Sequence, residues 1–126
     1  MRVKAKENDK SGSFLQGKEY HVITIEIYLS KQEIIYRLIP DDYIYSVIEN
    51  ADKFEIIDSR LASNWIFYQW NDHFYELTPE AWTKDDFWEN FYSGEPVERE
   101  IYFNEILKMF PDDKILHKKI KKELKK

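Results

Sequence analysis

The residue pattern predicts an α+β domain, with a small antiparallel β-sheet first and two to three C-terminal helices after it. Three observations carry this. Alternating and β-branched segments fill the chain up to Leu77. Helix punctuation and an apolar period of three to four residues take over beyond it. The 126 residues suit one domain, and 8 Phe, 4 Trp and 9 Tyr supply bulk for one packed core.

The strands follow in order. Val3-Lys4-Ala5-Lys6 alternates like a short edge strand, and residues 8–12 are polar and turn-rich. Residues 19–29 make the clearest strand. His21, Ile23, Ile25, Ile27 and Leu29 are expected on one face, and Tyr20, Val22, Thr24, Glu26 and Tyr28 on the other. A turn at residues 30–32 leads to residues 33–39, which are β-branched and aromatic and pair back as a hairpin. Pro40-Asp41-Asp42 stops that strand. Residues 43–48 read as a further strand or as a helical turn. Residues 54–57 form a strand closed by Asp58-Ser59. Residues 65–70 are almost entirely apolar, Asn71-Asp72 tolerates the positive φ of a two-residue turn, and residues 73–77 return. Trp65 and Phe67 lie on one face of this hairpin, Tyr68 and Trp70 on the other. A strand apolar on both faces is expected to be covered, and the C-terminal helices are the natural cover.

Thr78-Pro79-Glu80 then reads as a helix start, combining a capping hydroxyl, a first-turn proline and an acid. Thr83 followed by Asp86 is a second capping pattern. Phe87 and Phe91, and Trp88 and Tyr92, pair at i, i+4 before Ser93-Gly94 ends the short helix. Pro96 opens the longest helix, whose buried stripe is Phe103, Ile106, Leu107 and Phe110. Pro111-Asp112-Asp113 breaks it. The expected organisation is one α+β domain over residues 1–113 and a lysine-rich helical tail over residues 114–126. In that tail Leu116, Ile120 and Leu124 repeat every four residues. The stripe can pack on the body, fray as the lysines repel, or anchor weakly on a membrane or nucleic acid.

Several chemistries are excluded or unsupported. The absence of Cys removes disulfides, a cysteine nucleophile and cysteine-ligated metals. There is no run of 18 apolar residues, and no apolar signal core follows Met1-Arg2-Val3-Lys4. A cytoplasmic protein with no membrane span is expected. His21, His73 and His117 are far apart, and no metal-ligand motif is present. Asp41-Asp42 with Asp58 could converge on a cation, but such residues serve turn hydrogen bonds more simply. No serine elbow or glycine-rich phosphate loop occurs, so neither catalysis nor a cofactor is expected. Carboxylate pairs are so abundant that a two-carboxylate hydrolase remains only as a residual alternative.

Charge is more informative. Residues 114–126 hold seven Lys against Glu123, giving +6. Residues 1–113 hold 12 basic and 23 acidic side chains, giving −11. Such a body repels phosphates and attracts basic surfaces, so no direct nucleic-acid contact is expected. Asp85-Asp86-Phe87-Trp88-Glu89-Asn90-Phe91-Tyr92 sets aromatic faces among carboxylates, which resembles a mimic of nucleic acid. Glu95, Glu98, Glu100 and Glu105 follow, and Glu98 and Glu105, seven apart, share a helix face. Solvation of amphipathic helices would explain the same acids.

These residues also carry a resemblance. Leu77-Thr78-Pro79-Glu80-Ala81-Trp82, then Asp86-Phe87-Trp88-Glu89-Asn90-Phe91-Tyr92-Ser93-Gly94-Glu95, is similar to the C-terminal half of small bacterial immunity proteins, the partners of polymorphic toxins that include contact-dependent growth inhibition systems. The first half is similar in organisation through Gly17-Lys18-Glu19-Tyr20-His21-Val22, Tyr36-Arg37-Leu38-Ile39-Pro40-Asp41-Asp42, Phe54-Glu55-Ile56-Ile57-Asp58 and Asn64-Trp65. The resemblance spans about residues 15–110 and leaves out the lysine tail. It implies an SH3-like barrel feeding two helices, one-to-one binding of a cognate toxin, and no catalysis. With the acidic charge, it leads to a basic toxin partner, most simply a nuclease domain. The expected toxin-binding residues are Asp85, Asp86, Trp88, Glu89, Tyr92, Glu95, Glu98 and Glu105, with Trp88 and Tyr92 as anchors. A non-catalytic regulatory or adaptor domain that binds another basic protein is the alternative.

Overall fold

The structure, a computed structural model, describes residues 1–41 and 45–126. Among these residues seven antiparallel strands come first: β1 (Arg2–Ala5), β2 (Glu19–Tyr28), β3 (Glu33–Leu38), β4 (Val47–Asn50), β5 (Phe54–Asp58), β6 (Trp65–Asn71) and β7 (Phe74–Pro79). Three helices follow: α1 (Phe87–Tyr92), α2 (Pro96–Met109) and α3 (Lys114–Leu124). The order is that of the expected α+β class. The sheet is open rather than closed into a barrel: its path runs β4-β3-β2-β1-β5, with β7 on β2 and β6 on β7. Residues 42–44, which contain part of the ambiguous 43–48 segment, lie outside the described residues. The strand there is β4, which begins at Val47.

β2 organises the fold. Its first residues pair with β1, its last with β7, and β3 runs along the other edge. The expected strict alternation of its faces fails at one place. The ladder with β3 shifts between Val22 and Thr24, leaving Ile23 as an extra residue. Ile23 joins the core beneath the helices, whereas Val22 and Ile25 both lie in the second core. The Trp65 indole Nε1–H donates to the Ile23 carbonyl at 2.9 Å, so the bulge keeps no orphaned acceptor there.

Two cores result. One joins Ile23 to Trp82, Phe87, Phe91, Tyr102, Phe103 and Ile106 of the helical layer. The other gathers Val3, Phe14, Tyr20, Val22, Leu38 and Phe54 among others. Trp65 packs against both. The lysine-rich segment belongs to the first core, because Leu116 and Ile120 are buried in it. Asp113 fastens the start of α3 twice. Its Oδ1 accepts from the Leu116 N–H at 3.0 Å, and its Oδ2 lies 2.7 Å from His21 Nε2 on β2.

Two local expectations need correction. Thr78 and Pro79 finish β7, and only a 3-10 turn, Glu80–Trp82, follows. Thr78 is fully buried and pairs with Ile66, so tertiary pairing overrides the capping pattern. The hairpin aromatics are not covered by helices along their length. β6 is an edge strand, and Ile66 and Phe67 are 36 % and 63 % exposed. The rings shield one another instead: Phe67 stacks on Tyr75, Tyr68 meets Trp70 edge-on, and Trp70 stacks on Phe74.

Candidate functional site

The acidic segment sits on α1 and its flanks. Asp85 and Asp86 precede the helix and are exposed, with Asp86 held in the left-handed region at φ 64. Neither its side chain nor that of Thr83 caps α1, and the Thr83 hydroxyl donates to the Glu80 carbonyl. Glu89 on α1 and Glu95 at the start of α2 are also exposed. Phe87 and Phe91 turn inward, leaving the carboxylates and Tyr92 on the outer side. Tyr92 is 56 % exposed.

The other expected residues are placed differently. Glu98 is only 6 % exposed, because its face of α2 also carries Tyr102 into the core. It is not a surface carboxylate, so the expected contact with a partner does not fit its position. Glu105, seven residues on, is engaged with Lys108 at 2.8 Å and lies 3.5 Å from the Asn64 amide. Trp88 packs against the helical core and is half-buried. It serves the fold more than a partner. Asp41 and Asp58, considered above for a cation, are held apart by other partners: Asp41 accepts from Tyr20 and Lys18, and Asp58 binds the Arg60 fork. Among the described residues, no group of three or more potential ligands gathers.

Beneath the acidic segment lies a buried polar network that the sequence reading missed. Glu26 on β2 and Glu76 on β7 stand directly opposite each other. They are 6 % and 2 % exposed. Arg37 Nη2 reaches Glu26 Oε2 at 3.5 Å, and Nη1 donates to the Tyr92 hydroxyl at 2.8 Å. The Arg37 guanidinium also lies over the Trp88 ring, 3.8 Å from its centroid. Tyr28 donates to Glu26 at 2.5 Å, and the Trp70 indole N–H donates to Glu76 at 2.9 Å. The only sequence signal was two glutamates in strands otherwise rich in apolar residues. Their pairing depends on a long-range register.

This network has two consequences. Arg37 fixes the hydroxyl end of Tyr92 while the ring stays open to solvent, so α1 presents an aromatic residue that is ordered in advance. One cation also serves two buried carboxylates. Burial, with the Glu26 charge added, pushes the Glu76 carboxyl from 4.5 up to about 7, against the pull of Trp70 and Arg37. Glu76 therefore holds its proton more tightly in the folded chain than in the unfolded one. Stability should fall as pH rises from 4.5 through about 7, then level off. The fall attributable to this group is about 3 kcal/mol. Urea unfolding between pH 5 and 8 should show this slope in the native protein and a flatter one in Glu76→Gln.

No described helix is long and apolar enough to cross a membrane. Comparison of the chain with protein-family models, with curated proteins and with solved structures gives no match.

Proposed function

We propose that this chain is an immunity protein that neutralises a cognate basic toxin domain, most simply a nuclease, by covering its active site with an acidic surface. The observation that carries the reading is the exposed carboxylate set Asp85, Asp86, Glu89, Glu95 and Glu100 around the ordered, outward-facing Tyr92. Over residues 80–100 only Lys84 and Arg99 oppose the acids, and Arg99 is already paired with Glu123. Such a surface steers a basic partner during approach, and a rigid aromatic residue can then anchor it. The residual hydrolase alternative gains no support from Glu26 and Glu76, whose oxygens are buried under ring donors rather than turned to solvent.

The test uses whatever protein the neighbouring reading frame encodes, which this reading expects to be a basic toxin. Its toxicity should be relieved by co-expression of this chain, and a persistent growth arrest would defeat the assignment. The association rate should drop at least about tenfold as salt is raised from low to physiological strength. Asp85→Lys combined with Glu89→Lys should slow association similarly while leaving the melting temperature near its native value. A rate indifferent to both salt and charge would count against steering.

A further inference from the structure

We infer that the outer face of α3 is a binding site for the phosphodiester backbone of nucleic acid, recognised without regard to sequence. The inference is independent of the toxin-binding reading, which rests on α1, and it departs from the expectation drawn from overall charge. That expectation concerned the acidic body of residues 1–113, whereas residues 114–126 carry the opposite charge. Of the readings open for this segment the structure takes the packed one, a docked helix with two distinct sides. Leu116 and Ile120 face the core. Lys114, Lys118, Lys121, Lys122 and Lys125 are exposed and, with spacings of four, three, one and three, line the opposite side. They border a groove of about 600 Å³ that also takes in His117.

Among the described residues, none of these five ammonium groups has an ion-pair partner. Like charges at i, i+4 recur at 114/118, 118/122 and 121/125, each costing a few tenths of a kcal/mol in an isolated helix. A helix needed only for packing and solubility would intersperse glutamates on this face. Glu123 instead points to Arg99 and Lys126.

The chemistry selects among polyanions. A membrane-bound helix needs an apolar face for the acyl boundary, and here that face is spent on the core. Protein interfaces favour aromatic residues and arginine and are depleted in lysine. A ladder of lysine point charges without aromatic or bidentate groups suits backbone phosphates instead. From Lys114 to Lys125 the helix rises about 16 Å, a length of duplex that carries about ten phosphate charges.

The test is fluorescence anisotropy of the full chain with a labelled 20-base-pair DNA duplex. Binding is expected with Kd on the order of 10⁻⁵ M at 50 mM salt. The affinity should weaken by about 10²- to 10³-fold between 50 and 200 mM, the slope of four to five neutralised phosphates. Lys118→Glu, Lys121→Glu and Lys125→Glu together should abolish it while circular dichroism stays native. The triple Gln variant should weaken it and lower the salt slope. No binding at 50 mM salt, binding unchanged in both variants, or preference for phosphatidylserine vesicles or polyglutamate over the duplex would overturn the inference.

Discussion

Arg37→Ala should destabilise the protein by about 3–5 kcal/mol, enough to consume much of the stability of a domain this size. The substitution strands Glu26, the ion-pair partner of Arg37, opposite the buried Glu76, which loses the nearby positive charge as well. It also removes the donor that holds the Tyr92 hydroxyl and the cation that lies over Trp88. Two controls separate the electrostatic cause from lost packing. Adding Glu76→Gln should recover a substantial part of the loss, since only one carboxylate then stays unpaired. Lowering the pH toward 5 should recover stability too, because Glu76 takes its proton. Urea unfolding of the single and double variants at pH 5 and 8 provides the comparison. A loss independent of pH and of Glu76 would assign the role of Arg37 to packing alone.

Ile120→Ala should cost about 3 kcal/mol, within the range for removing a fully buried aliphatic side chain. Ile120 is 0 % exposed and shares a core with Ile23, Trp82, Phe103 and Phe110. The cavity would open under α3 and loosen the layer that carries α1. Removing residues 114–126 altogether should do more, by exposing the apolar side of α2, so truncation would confound any study of the lysines. Calorimetry of Ile120→Ala should show a large fall in melting temperature, whereas charge reversals on the outer lysines should leave it nearly unchanged. A near-native melting temperature for Ile120→Ala would mean that α3 is not part of the cooperative unit.

The strands were legible in the sequence where their period was two and their ends were marked by turn residues. β2, β3, β5 and β6 begin where alternation and punctuation put them. Pro96 and Pro111 likewise bracket the long helix. What escaped was anything set by register. The extra residue at Ile23 reassigns faces along β2, and no local pattern announces it. The opposition of Glu26 and Glu76 joins residues 50 positions apart, so neither glutamate could be known as buried in advance. Glu98 illustrates the converse: helical period placed it with Glu105, but tertiary packing buries Glu98 and leaves the Glu105 side chain only 12 % exposed beside Lys108.

The placement of β2 also governs when this chain can become itself during synthesis. Its central residues wait for β7, some 50 positions downstream, and Ile23 waits for Ile120, nearly at the other end. Contacts so distant in sequence slow the search for the native state, from the microseconds of a local helical bundle toward milliseconds or longer. Until the last helix has left the ribosome, the apolar core that Ile23 shares with Trp82, Phe103 and Phe110 lacks Leu116 and Ile120. The nascent chain therefore passes through an interval in which a chaperone has something to hold.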